Sequence, residues 1–98
     1  MKLSELKEGQ RIPYLKLKVI KVYPIREVKN GALRVQDIVV SDNETEMTLS
    51  LWKENCGKVK EGDVKIFTSL LVQLNDYNDS IQLSSGFYGK IQDEKKNH

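Results

Sequence analysis

The stretch Glu46–Trp52, EMTLSLW, alternates Met47, Leu49 and Leu51 with Thr48, Ser50 and Trp52. That is the two-residue period of a half-buried strand. The only tryptophan of the chain therefore shares a face with two small hydroxyl side chains, on the side that should meet water. An indole beside small residues offers a flat floor on which a planar group can stack. The bland reading is that Trp52 ends the strand and folds over a barrel end as a plug, and parity alone leaves both readings open. Tyr77 lies at the tip of Asn75–Asp79, NDYND, among polar neighbours that give it no core to join. Phe87 and Tyr88 are adjacent, so in an extended segment they point to opposite sides, one inward and Tyr88 as the candidate contact.

Cations accompany these rings. Lys16 and Lys18 alternate with Leu15, Leu17 and Val19, which places them outward on the first strand. Arg26 and Lys29 flank the first hairpin loop. Arg34, between Leu33 and Val35, is expected outward beside the Thr48–Trp52 face, and Lys53 directly follows Trp52. Exposed aromatic faces with a track of positive charge suit single-stranded nucleic acid, with stacking for the bases and cations for the phosphates. Nothing in this set reads base edges, so little sequence preference is expected. Lys7, Lys21, Lys60, Lys95 and Lys96 read as ordinary solvated lysines.

Catalysis finds little to work with. His98 is the only histidine and the last residue, and Cys56 is the only cysteine. No zinc site of the usual kind and no intrachain disulfide can form from these. No phosphate-binding loop, H-E-x-x-H or G-x-S-x-G motif is present. The paired acids Asp42/Glu44 and Asp76/Asp79 lie in turns, where carboxylates usually cap backbone N–H groups. The expectation is a protein that is not an enzyme, with no cofactor, no metal and no small-molecule substrate.

The elements that must hold these residues are strands. Leu3–Gln10 reads as a short helical turn capped by Ser4, with Leu3 and Leu6 inward and Gly9 ending it. A long strand follows to Pro24, then Asn30-Gly31, a strong hairpin signal. The second strand, Leu33–Asp42, changes phase at Gln36–Asp37, which predicts a β-bulge. Ser41–Thr45 turns the chain into the Glu46–Trp52 strand. Gly57 and Gly62 leave room for one or two helical turns before the fourth strand, Val64–Asn75. Ser80–Ser85 is the fifth, with Ile81 and Leu83 inward. Three strands in a meander, a short linker and a final hairpin are the layout of a five-stranded, all-β OB-fold Greek-key barrel. Residues 1–92 form one domain and residues 93–98 a charged, frayed tail.

Composition agrees with this reading. Ninety-eight residues, 39% hydrophobic and 31% charged, make a single globular domain. No run is apolar enough to span a membrane, and Met1–Gly9 lacks a leader's apolar centre, which favours a cytoplasmic location. The net charge of +2 hides a split. Met1–Gln36 holds nine bases and three acids, a balance of +6, and Asp37–His98 holds seven bases and eleven acids, a balance of −4.

The segment VVSDNETEMTLSLWKENCGKVKEGDVKI resembles the signature of archaeal replication protein A and the related short single-stranded-DNA-binding proteins. It has an acidic turn, an alternating strand ending in Leu-Trp, a small linker, then Glu-Gly-Asp and an apolar strand. LSELKEGQ and the QLN…IQLS hairpin fit too, so the resemblance runs from about Leu3 to Ile91. It implies an OB barrel that binds single-stranded DNA across its second and third strands, between the loops joining strands 1–2 and 4–5, in replication, repair or recombination. Trp52 matches the third-strand aromatic that stacks a base, and Tyr77 an aromatic near the last hairpin. A fourth-strand stacking aromatic, common in the group, is replaced here by Leu71, Val72 or Gln73. Single-stranded DNA is thus the implied partner, with other OB-domain subunits or replication and repair proteins beside it. The alternatives are a protein-interaction module of a larger complex and a binder of single-stranded RNA.

Overall fold

The computed structural model describes residues 2–75, 80–86 and 89–93. Among the described residues there are seven strands: β1 (Arg11–Val22), β2 (Arg26–Val28), β3 (Leu33–Ser41), β4 (Glu46–Trp52), β5 (Val64–Asn75), β6 (Ser80–Ser84) and β7 (Lys90–Asp93). Among the described residues the only helical turns are 3₁₀, at Leu3–Glu5 and Lys53–Asn55. Ser4 lies inside the first of these and does not cap it; the position before the turn is Lys2, which makes no side-chain capping bond. Leu3 and Leu6 are buried, as their apolar character requires.

Five strands close a barrel. β1 pairs with β3, β3 with β4, β4 with β6, β6 with β5, and β5 returns to β1. All contacts are antiparallel except the short parallel β4–β6 seam. β1 serves two neighbours by bending. Its first part, Arg11–Lys18, pairs with β5, and its last part, Lys18–Val22, pairs with β3. The register shifts between Val19 and Lys21, where a bulge curls the strand. The alternating apolar set meets inside: Ile12, Leu15, Leu17, Val19, Ile38, Val40, Leu49, Leu51, Phe67, Leu70, Val72 and Leu83 are all buried in one cluster.

The bulge expected at Gln36–Asp37 is absent, because the β3–β4 register runs unbroken from Val35↔Trp52 to Ser41↔Glu46. The apparent phase slip has another cause. Gln36 points inward at the barrel mouth, where its side-chain N–H donates to the Tyr23 carbonyl at 2.9 Å and its carbonyl accepts from Gly57 N–H at 2.8 Å. Val35 takes the opposite parity, outside the main core cluster, yet is only 2% exposed, with Arg26 and Trp52 as its cross-strand partners. Two consecutive buried residues, a satisfied Gln36 inside the barrel mouth and a covered Val35 on the other face, give the sequence the look of an extra residue.

A second reversal lies between β1 and β5. Ile12 and Leu70 face the core, and so do Leu15 and Phe67, although each pair is separated by three residues. Both strands change sides at one step, at Pro13 and Ser69, which sit opposite each other. Ser69 has φ +55°, the left-handed region that non-glycine residues seldom occupy.

Two strands lie off the ring. β2 pairs with β3 and extends it as a ribbon, and β7 pairs with β5 and runs through Asp93, one residue past the expected end of the domain. The Asn-Gly signal is realised in the β2–β3 hairpin. Asn30 and Gly31 both have positive φ, as a type I′ turn needs, and Ala32 N–H donates to the Lys29 carbonyl at 3.1 Å. No helix among the described residues is long and apolar enough to cross a membrane.

Candidate nucleic-acid interface

Strand register decides which side chains share the outer face. Directly opposed residues in an antiparallel pair lie on the same side. The outer rows across β3 and β4 are therefore Val35 with Trp52, Asp37 with Ser50, Val39 with Thr48, and Ser41 with Glu46. The first row extends onto β2 through Arg26↔Val35. The parallel match Ser50↔Ser84 carries the floor onto β6, where Gln82 shares the outward parity. Trp52 is half-buried on this face, so the odd apolar positions point inward and the tryptophan does not plug the barrel.

The end of β4 is held firmly. Trp52 N–H donates to Ser85 Oγ at 3.1 Å, and Ser85 N–H donates to the Ser50 carbonyl at 2.9 Å. The buried Asn55 amide donates to the Gly89 carbonyl at 2.9 Å, tying the 3₁₀ turn to the start of β7. These contacts frame a recess of about 170 Å³ lined by Trp52, Lys53, Glu54, Asn55, Gly89 and Lys90. Lys90, which sequence reading passed over, thus lies beside the tryptophan. The only signal for it was its place in GFYGK.

A hydrogen-bonded chain crosses the floor next to Trp52. Gln82 Nε2 donates to Ser50 Oγ at 3.3 Å, Ser50 Oγ donates to Asp37 Oδ1 at 2.9 Å, and Arg26 donates to Asp37 Oδ2 at 3.1 Å. Ser50 is consequently buried and bridging, where an open hydroxyl floor was expected. Arg26 stands on the tryptophan's face with its guanidinium paired to a carboxylate.

The remaining cations are distributed differently from the expectation. Arg34 pairs with Glu27 across the β2–β3 ribbon and lies on the opposite face from Val35 and Trp52. Arg34 is exposed, as expected, but the pairing of Val35 with Trp52 leaves it on the ribbon face away from the tryptophan. Arg34 and Lys53 meet instead at a depression of about 310 Å³ that also contains Glu27 and Glu54, so its charge is mixed. Lys29 occupies the hairpin turn and is exposed. Lys16 and Lys18 line a recess with Ser41, Asp42 and Asn43 at the far end of β3. Six residues of strand separate Ser41 from Val35, roughly 20 Å at about 3.3 Å per residue. These two lysines are not brought to Trp52. Tyr77 and Tyr88 lie outside the described residues.

At the fourth-strand position that the family fills with an aromatic, Gln73 is the exposed outer residue and pairs with Gln82, while Val72 faces the core. Cys56 Sγ donates to the Leu51 carbonyl at 3.4 Å, and burial pushes its thiol pKa up, opposed by nearby Arg34. A raised thiol pKa is the reverse of what a nucleophile needs. No group of three or more His, Cys, Asp or Glu side chains is placed to hold a metal among the described residues.

The barrel is shared with OB domains of known structure. It superposes on the OB domain of Ta0387 from Thermoplasma acidophilum with a TM-score of 0.77 at 15% identity, over 100% of this chain and 89% of that one. It superposes on the second OB-fold domain of replication protein A from Methanococcus maripaludis with a TM-score of 0.72 at 21% identity, over 100% of this chain and 97% of that one. The fold is therefore an OB barrel, as the strand order implied. No family model and no curated protein matches the sequence.

Proposed function

We propose that this OB domain binds single-stranded DNA, without catalysis, across the outer face of β3, β4 and β6, in replication, repair or recombination. The observation that carries the reading is Trp52, a half-buried indole on the outer face, next to the small floor residues Ser50 and Thr48. Stacking a base against this half-buried indole would bury more of its apolar surface. Arg26 on the floor and Lys53, Lys90 and Lys29 around its rim supply the phosphate contacts. Tyr77, which lies between β5 and β6 in the sequence, would clamp a base from the side. The likeness to a replication protein A domain supports the assignment. A single OB domain covers only a few nucleotides, so useful affinity comes from tandem domains or partner subunits.

Fluorescence anisotropy with a labelled 15-residue DNA oligomer tests the reading. Trp52→Ala is expected to weaken binding between about fivefold and a hundredfold, the equivalent of ~1–3 kcal/mol for one lost stack. Binding that is absent at low salt, or untouched by Trp52→Ala, overturns it. One observation favours a second reading, a protein-interaction module: the floor also carries Asp37 and Glu46, and its arginine is already paired. Failure of every DNA and RNA oligomer, with co-purification of a partner chain, would favour that reading. Matched RNA and DNA oligomers decide between the two nucleic acids.

A further inference from the structure

The hydrogen bonds on the floor converge on one group. Ser50 donates to Asp37 from β4, Arg26 donates to it from β2, and Gln82 orients Ser50 from β6. Asp37 is the common acceptor. A carboxylate has about four lone-pair sites, and these bonds use two of them. Its side chain is 31% exposed, so the carboxylate is fixed in place yet reachable from solvent. It lies two residues from the Val35–Trp52 row, about 7 Å at ~3.3 Å per residue. A base seated on this floor beside Trp52 would turn its hydrogen-bonding edge toward the carboxylate.

We infer that Asp37 makes this floor selective among bases, favouring guanine and disfavouring thymine; the inference rests on the nucleic-acid reading above. The chemistry is acceptor against edge. Guanine presents two adjacent donors, N1–H and the N2 amino group, which match a carboxylate in a two-pronged hydrogen bond. Cytosine and adenine each offer one amino group, and Asp accepting from cytosine N4 is an established pairing. Thymine and uracil present one N–H between two carbonyl oxygens, and those oxygens meet the carboxylate as like charge. The same carboxylate repels phosphate, which steers the strand's backbone to the lysine rim and its bases to the floor. Thus Arg26 acts as a positioning residue, holding the carboxylate's plane.

Competition anisotropy with two 15-residue oligomers tests this, one all thymine and one with three scattered guanines. The wild-type protein is expected to bind the guanine-bearing oligomer roughly fivefold more tightly, the low end for one base-edge contact. Asp37→Asn, nearly isosteric, replaces one acceptor oxygen by a donor and should abolish the preference. Arg26→Met should weaken both oligomers and keep their ratio above one. Equal binding of the two oligomers by the wild-type protein overturns the inference and leaves the DNA reading standing. A preference that survives Asp37→Asn overturns it as well. Failure to bind either oligomer removes the DNA reading itself, so the two failures are distinguishable.

Discussion

Gly89 is where a single atom has least room. A Cβ there would lie 2.5 Å from the Ser85 carbonyl oxygen and 2.9 Å from that of Thr68, both backbone groups that cannot swing aside. Gly89→Ala should cost about 1–3 kcal/mol by overpacking. Calorimetry would register this as a fall in Tm of roughly 4–8 °C per kcal/mol for a domain of this size. The same substitution moves the wall of the Trp52 recess, so DNA affinity should fall with it. At this scale the sequence was legible where side chains alternate cleanly: Met47, Leu49 and Leu51 set the parity that put Trp52 outside. It misled at Gln36, and over which face of the sheet covers the buried Val35. A buried glutamine with both ends bonded looks, in sequence, like a surface residue, and the error carried Arg34 to the wrong face. Asp37 was passed over for a related reason: its partners Arg26 and Ser50 come from two other strands, and only the register reveals them.

Asp42 joins two elements. Its carboxylate accepts Leu3 N–H at 2.8 Å, Thr45 N–H at 2.9 Å and Glu44 N–H at 3.0 Å, so the β3–β4 turn and the N-terminal 3₁₀ turn share one anchor. Those backbone donors hold its pKa below the ordinary aspartate range. A folded-state pKa below the unfolded one contributes stability above the unfolded value, near 3.9, and loses it as pH falls through the lower folded value. Asp42→Asn should therefore unfold at a lower temperature than the wild-type protein at pH 7, and the gap should close as pH drops below about 4. Thermal melts across pH 2–7 would check both the sign and the window. Element positions were largely readable, because Asn30-Gly31, Gly57 and Gly62 mark the turns. The short strands β2 and β7 were not. Each is held by pairing with a neighbour more than by a pattern of its own, and Arg26–Val28 and Lys90–Asp93 carry too few apolar residues to declare themselves.

For the whole molecule, the charge split along the chain does not become a split in space. Lys16 and Lys18 go to one end of the barrel, Arg34 to the back of the ribbon beside Glu27, and Arg26 to Asp37. On the DNA-binding reading proposed above, the phosphate contacts fall to Arg26, Lys29, Lys53 and Lys90. With about 0.7 counterions released per phosphate on a single strand, the slope of log K against log salt should be no steeper than about −3. Anisotropy titrations between 20 and 300 mM salt would measure it, on the order of a Debye length's variation from 20 to 6 Å. A steeper slope would mean that the distant lysines also engage the strand. Barrel closure was predictable from strand count and order, since five strands with a linker after the third leave few other ways to remove edges. The destination of each cation was not, because it depends on the ribbon's geometry beyond the barrel.

The paired reversal at Pro13 and Ser69 bears on how such a chain can change over time. Because both strands swap sides at one step, the ladder stays in register while the meaning of odd and even positions is exchanged. A one-residue insertion in β1 alone would turn every side chain beyond it inside out, and no single point mutation could repair that. A longer loop leaves this ladder untouched, whereas at this step a residue gained by one strand needs a matching residue on the other or a bulge like that at Val19–Lys21 to absorb it. The step thereby fixes the length of the β1–β5 seam more strictly than any one contact within it.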